Sequence, residues 1–559
     1  MKRKASEITK KFDKDEFISP SHLKNYILHD PLIDYLEYYK INTLNELPNR
    51  KRANSVVDGE FVQFIKLKGI DFENKIINEI KYPIVKINGS INITNFNKTI
   101  DAIKNNHPII YQGVLIDFEN KTYGQPDLII RGDCLKLLYE IDYVKNDCYY
   151  IIDIKYSTIN LSSDETFILN SDFIPTYKSQ VFLYTKMLNN ILNQNVNEGF
   201  ILGKKYVFTK NNIKNTSSHK LGLINYKTRD IEYTYLVAQA INWVHRLRNE
   251  GHNWVLLPRP SVYELYPNMS NNKDGKWRPL KKELAEELKE LTLILNVGHN
   301  ERLRAFSKGV MSYDDPYCNS STLGLCGKIG DLVDSIISIN NNNNTDIILP
   351  NKIKSDYWRQ VPNDHFEFFI DYETTDDFED KSVIFMIGVG YVINNDWHFK
   401  SFTLADISIE SQKIMFEDFW NHINTVMNFH VQCTEALFIH WTQAEPTFYK
   451  KMQNKIPNLP KKKFMDLYKL FIDEPITIKG ALNYSLKTVA KAMYKHKMIK
   501  TSWDTNSTCV NGLDALIQAH KMYFVNSNDK FNKMDEIVKY NEIDCKVLYE
   551  IIDYLRKNH

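Results

Sequence analysis

The run YYIIDIKYST, from Tyr149 to Thr158, decides the reading of the first half of the chain. Its opening aromatic and β-branched residues have the character of a buried strand, and Asp153 and Lys155 stand two positions apart, so both leave the same face. A carboxylate and an ammonium on one face of a core strand are costly unless paired or put to use. A structural ion pair at a strand end accounts for this stretch alone as well as a functional site does. Its surroundings tip the reading. Upstream, Gly124, Gln125 and Pro126 break the chain ahead of Asp127, and Leu128, Ile129 and Ile130 then enter a core. Asp127 and Asp153 would offer hard oxygen ligands from adjacent strands to Mg²⁺ or Mn²⁺, with Lys155 beside them to orient or deprotonate a water.

Two further segments belong with these. In KGIDFENKIINEI, Glu73 sits in a helix-like pattern among Ile70, Phe72, Ile76, Ile77 and Ile80, and Gln180-Val-Phe-Leu-Tyr184 also reads as helix. Pro126-Asp127, the D-x-K of Asp153 and Lys155, the helical glutamate and the Q-h-x-x-Y pattern resemble the PD-(D/E)xK nucleases, in particular their RecB and Cas4-like branch. The resemblance implies a restriction-endonuclease-like α/β/α core over residues 51–212. It implies a metal held by Asp127, Asp153 and the Ile154 carbonyl with Glu73 completing the shell, a water positioned by Lys155, and Gln180 and Tyr184 steadying substrate. Residues 1–50 form an N-terminal helical segment in which Ser19 and Pro20 start a helix carrying Leu23, Tyr26 and Ile27. This segment resembles the start of Cas4-like nucleases, but Asp30 stands where they place a cysteine, and no cysteine group follows Tyr184. No iron–sulfur cluster is expected.

The 559 residues allow three or four domains, and 43% hydrophobic with 13% aromatic residues is enough for sizeable cores. A net charge of only +2 confines any nucleic-acid surface to a local basic patch. Seven cysteines without a C-x-x-C pair point to reduced thiols in an intracellular protein. No run approaches a membrane span and the N-terminus lacks an apolar signal region, so a soluble, unsecreted chain with no membrane partner is expected. Lys2 to Lys4, Lys10 and Lys11 read as solvated rather than as a nuclear address. Richness in Asn, Ile and Lys suggests an AT-rich genome such as that of a large DNA virus or a protist.

Residues 213–350 read as a helical connector, with an amphipathic helix from Tyr235 to Arg248 ended by Gly251 and a second helical stretch from Leu280 to Asn296. The Gly298 turn resembles a helix-hairpin-helix whose backbone N–H groups would meet a phosphate, with an ordinary αα-hairpin as the plainer account. Residues 360–559 open a second set of acids. Phe366 to Ile370 form a strand ending in Asp371 and Glu373, again on one face, where a divalent cation would relieve their repulsion. The apolar run from Ser382 to Val392 should be the next, antiparallel strand, and near the C-terminus Tyr540 and Asp544 lie one helical turn apart.

D-x-E followed by Y-x-x-x-D resembles the first and third motifs of DEDDy exonucleases on a ribonuclease H-like α/β fold. Glu445 stands in the second motif where that family usually has Asp, with Asp466 as a rival, and Lys487 is a candidate phosphate contact against the plainer reading of a solvated helix lysine. The order of parts resembles a family of RecB-type nucleases fused to a YprB-like ribonuclease H domain. It implies an α/β multidomain, Mg²⁺- or Mn²⁺-dependent nuclease with a RecB-like site and a second site held by Asp371, Glu373, Glu445 and Asp544, with Tyr540 orienting the nucleophile and 3′ to 5′ polarity. DNA ahead of RNA would be its partner, with a helicase beside it, in DNA repair, recombination or processing. The alternatives are a single-site nuclease with a decayed ribonuclease H-like binding module, and a non-catalytic scaffold.

Overall fold

The structure is a computed structural model that describes residues 12–39, 56–208, 214–215, 220–341, 345–362, 364–375, 383–429, 433–503 and 530–559, with isolated positions between 504 and 529. The basic residues near the N-terminus, the acidic turn after Thr375 and most of the asparagine run at 340–344 lie outside the described residues. The chain divides into two compact units, Met1–Leu288 and Lys289–His559.

In the first unit, a long helix α1 (Val56–Glu79) precedes strands β1 (Ile84–Lys86), β2 (Ile109–Tyr111), β3 (Leu128–Arg131) and β4 (Tyr149–Leu161). Helix α2 (Ile174–Leu192), strands β5 (Glu198–Phe208), β6 (Lys214–Asn215) and β7 (Gly222–Asn225), and helices α3 (Glu232–Glu250) and α4 (Arg278–Glu287) follow. The strands form one mixed sheet in the order β1-β2-β3-β4-β5-β6, with β7 also on β5. Strand β4 lies antiparallel to β3 and parallel to β5. Alternation along β4 divides the two cores: Ile151 packs with Val181 and Leu183 of α2, whereas Ile152 and Ile154 pack with Ile76 and Ile77 of α1. Asp153 and Lys155 share the parity of Ile151 and so face α2.

The segment expected as a separate connector is split between the units. Helix α3 buries Val237, Ala240, Trp243 and Leu247 in the first unit's core. Helix α4 is anchored by Lys281, whose fully buried Nζ lies 2.7 Å from Asp30 Oδ2, also pairs with Asp274, and donates to the carbonyls of Asn268 and Asn271. A buried ammonium left without such partners would cost several kcal/mol, roughly 3–5. The pairing therefore ties the N-terminal segment to residues 268–281. The helical stretch expected to run to Asn296 stops earlier: α4 ends at Glu287, Lys289 takes a left-handed φ of 50°, and Glu290 caps a short turn by accepting from Thr292 N–H.

The second unit begins with small helices, including α5 (His299–Ser307), and then builds a five-stranded sheet. Its strands are β8 (His365–Thr375), β9 (Val383–Ile393), β10 (Asp396–Thr403), β11 (Glu435–His440) and β12 (Lys463–Asp466), in the spatial order β10-β9-β8-β11-β12. The first three are antiparallel neighbours, and β8, β11 and β12 run parallel. Helices α6 (Ile409–Phe429), α7 (Ala444–Gln453), α8 (Leu486–Lys495) and α9 (Lys530–Asn558) surround it. On β8, Phe369 meets Tyr549 of α9, while Phe368 stacks on Phe438 of β11, which in turn meets Phe419 of α6. Asp371 and Glu373 share the parity of Phe369 and face α9.

Candidate active sites

In the first unit, the β3–β4 register pairs Leu128 with Ile152, which brings Asp127 beside Asp153. Asp127 Oδ2 accepts the Ile154 N–H at 2.6 Å, and Lys155 Nζ lies 2.6 Å from Asp153 Oδ2. Apart from that ion pair, neither Asp153 oxygen has a hydrogen-bond partner, although the residue is 1% exposed. Burial and the Asp153 charge push Asp127 well above the ordinary carboxylate range, against the pull of Lys155. Burial works against the ammonium of Lys155, but Asp153 and Asp127 outweigh it and hold its pKa above the usual lysine value.

Helix α2 sets Tyr177, Gln180 and Tyr184 at one-turn spacing on the face toward this pair. Gln180 Nε2 donates to Tyr184 Oη at 3.1 Å, and Tyr184 Oη donates to the Gln125 carbonyl at 3.4 Å. Burial, followed by the Asp153 charge, raises the Tyr184 pKa, which keeps the phenol a donor. Gly124 is needed here because a Cβ would collide with the Tyr184 ring. Glu73 accepts from Gln112 Nε2 at 3.1 Å, and its charge raises the pKa of Asp127. Tyr177, which the sequence reading passed over, carries Lys155 Nζ 5.1 Å from its ring centroid. An orphaned, buried hard oxygen beside a second carboxylate suits a divalent cation.

In the second unit, Asp371, Glu373 and Asp544 each turn an oxygen to within 4.8 Å of the others, and among the described residues this is the one such trio. The strand register shifts between Glu373 and Thr374, a local irregularity beside the acids. Burial raises all three pKa values, followed by repulsion within the group for Asp371 and Glu373. Asp371 lies well above the carboxylate range, Glu373 reaches about 8 and Asp544 about 7. Three converging hard oxygens whose charged forms burial disfavours fit a divalent cation.

Helix α9 supplies Tyr540, Asn541 and Asp544 from consecutive turns. Tyr540 donates to Asp544, and burial together with the neighbouring acids holds its phenol protonated. Trp503 Nε1 also donates to Asp544, at 3.0 Å. The fully buried Asn541 was not singled out by the sequence reading, yet its Nδ2 donates to Asp371 Oδ2 at 2.7 Å and lies 3.4 Å from Glu373 Oε1. It reaches them because Gly388 of β9, opposite Asp371, has no Cβ to collide with its side chain. Lys487, in the first turn of α8 behind its Ser485 cap, rests 4.3 Å from the Tyr540 ring centroid and 5.5 Å from that of Trp503. Its charge pulls the pKa values of Asp371, Glu373 and Asp544 down, which places it beside the acids rather than out in solvent.

Glu445 lies outside the trio. Buried at the start of α7, its Oε2 is 3.3 Å from Nδ1 of the buried His440, and its charge still acts on all three acids. The rival Asp466 caps a helix instead, with oxygens that accept from Thr442 N–H and Gln443 Nε2, both at 2.9 Å. At Gly298, the backbone N–H donates to the Glu301 carboxylate at 3.0 Å, so the donor expected to meet a phosphate is already taken by a side chain of the same helix.

No curated protein matches the chain. A model of the RNase_H superfamily matches residues 368–556, from β8 through α9; the second unit therefore carries an RNase H-like domain, and Asp371, Glu373 and Asp544 fall within it.

Proposed function

We propose that the chain is a metal-dependent nuclease with two separate sites, acting on DNA in repair, recombination or processing. The observation that carries this reading is the convergence of Asp371, Glu373 and Asp544 within an RNase H-like domain. When bound by these acids, a divalent cation supplies a Lewis acid for phosphate oxygens. Tyr540, protonated and anchored on Asp544, is positioned to orient an attacking water through its hydroxyl. Lys487 adds positive charge where a phosphate would approach, and its aromatic neighbours fix its position. The 3′ to 5′ polarity follows from the resemblance to DEDDy exonucleases.

The first unit is proposed as a RecB-like site in which Asp127 and Asp153 hold the cation and Lys155 bears on the water. The unpartnered Asp153 oxygen and the Gln180–Tyr184 pair support this. A second reading, in which the RNase H-like domain binds nucleic acid without cutting it, is favoured by the engagement of Glu445 with His440. The test is cleavage of end-labelled single-stranded and duplex DNA and RNA with Mg²⁺, Mn²⁺ or EDTA, by the parent, Asp153→Ala and Asp371→Ala. Two working sites give metal-dependent products that each substitution alters separately. Cleavage lost only with Asp153→Ala makes the second unit a binding module, and cleavage indifferent to both substitutions rejects the proposal.

A further inference from the structure

A cleft of about 650 Å³ lies against the first unit's candidate site. Gln125, Gln180 and Tyr184, which belong to the candidate site, line it together with Ser21 and Lys24 of the N-terminal segment. Phe173, the residue before α2, stands in this cleft half-buried. Its ring stacks on Tyr177 with centroids 6.3 Å apart and planes 21° apart. Two ammonium groups from distant parts of the unit converge on the same ring, Lys24 Nζ at 5.6 Å and Lys273 Nζ at 4.9 Å from the centroid. Tyr177 carries Lys155 in the same manner at 5.1 Å. Lys24, Phe173 and Tyr177 line the cleft, and through the two rings Lys24 and Lys273 are linked to Lys155 of the candidate site.

Packing alone accounts poorly for this arrangement. Phe173 stands outside the buried core, and Lys24 and Lys273, from opposite ends of the unit's sequence, both reach its ring. Paired rings flanked by ammonium groups match what a single nucleic-acid strand offers, a base face to stack and phosphates on either side. Inside a duplex both faces of each base are occupied by neighbouring base pairs, so such rings engage unpaired nucleotides. Asp172, 3.8 Å from Lys273 and largely exposed, balances part of the charge without closing the cleft.

We propose that this cleft is a subsite for single-stranded nucleic acid, in which Phe173 and Tyr177 stack bases while Lys24 and Lys273 pair with flanking phosphates, leading the strand to Asp127 and Asp153. The inference rests on the nuclease reading of the first unit and specifies its substrate as an unpaired strand or a frayed end.

Binding in EDTA separates this from catalysis. The full chain would be titrated by fluorescence anisotropy with labelled single-stranded DNA, single-stranded RNA and blunt duplex DNA of equal length. Phe173→Ala should weaken single-strand binding about tenfold or more and leave duplex binding within about twofold, while Phe173→Trp keeps affinity. Lys24→Ala with Lys273→Ala should reduce the salt dependence of single-strand binding by about 1.4 in the log–log slope. The DNA and RNA arms identify which strand the subsite takes. Single-strand affinity unchanged by Phe173→Ala, or lost equally for duplex, overturns the subsite. A parent that fails to cleave with Mg²⁺ yet keeps Phe173-dependent binding rejects the nuclease reading alone and upholds the subsite.

Discussion

Asp153 and Lys155 in the first unit, and Asp371 and Glu373 in the second, leave the face of a buried strand two positions apart, and in both strands the register shifts shortly beyond them. The partner chosen at the second position separates the two sites. Lys155 lies 2.6 Å from Asp153, so β4 carries its own counter-charge. Glu373 adds a second negative charge to β8, and Asp544 adds a third from α9. The Asn541 amide and the Lys487 charge pull these acids down, but burial outweighs them and leaves Glu373 at about 8 and Asp544 at about 7. The D-x-K strand supplies one counter-charge of its own, whereas the D-x-E strand depends on other elements, or on a bound cation, to offset its acids.

The comparison is broken most directly by Asp371→Asn. This change removes one of three converging acids, and activity of the second unit should fall about 10³-fold or more while that of the first persists. Time courses on end-labelled strands with Mg²⁺ provide the readout, and an equal fall in both activities would refute two independent sites. Lys155→Met tests the other half by turning the self-neutralised strand into one with an unpaired buried acid. It should cost about 3 kcal/mol in denaturant unfolding. Added Mg²⁺ should return more stability to the variant than to the parent. A variant as stable as the parent in EDTA would show that the ion pair is not what holds the first site together.

These contrasts were partly legible in the residue order. D-x-K, D-x-E and Y-x-x-x-D are local spacings, and a strand or helix converts such spacing into a shared face. Asp153 with Lys155, Asp371 with Glu373, and Tyr540 with Asp544 were therefore readable before any tertiary contact was known. Asn541 was not, because an asparagine between two helical motif residues looks like solvated surface until Gly388, about 150 residues earlier, lets α9 approach β9 closely. Phe173 and Tyr177 drew no attention in the residue order, since the lysines that mark them come from residues 24, 155 and 273. Lys281 likewise gave no signal of closing the first unit through Asp30 and Asp274. Glu445 was legible as an acid between the two outer motifs, but its approach to His440 depends on how the end of β11 meets α7.

A cation should sharpen the difference through pH. An acid whose folded pKa lies above its unfolded value binds the extra proton in the folded state, so the chain without metal loses stability as pH rises from about 4 toward the folded values. For Glu373 and Asp544 those values are about 8 and about 7. Mn²⁺ competes with the same protons, and its stabilisation should therefore grow with pH. At a concentration 100 times its Kd the gain is about 2.7 kcal/mol, so the rise in melting temperature should be larger at pH 8 than at pH 6. Asp371→Asn should remove most of that pH dependence, and a larger rise at pH 6 would contradict the protonated-acid account.

The smallest expected effect belongs to Glu445→Asp, and it decides whether the second unit cuts or only binds. Glu445 is held 3.3 Å from His440 while its charge still acts on Asp371, Glu373 and Asp544, so it stands between a packing role and a share in the cation site. Removing one methylene withdraws the carboxylate from His440 and restores the residue type usual in the DEDDy pattern. A working centre should respond with a modest rise in single-turnover rate, up to about tenfold, which corresponds to roughly 1.4 kcal/mol of barrier. His440→Ala with Glu445 retained should move the rate in the same direction if the histidine is what holds the acid back. Mn²⁺ binding at the trio with no change in rate from either substitution would make this half of the protein the binding module, and leave cleavage to the strand that carries its own lysine.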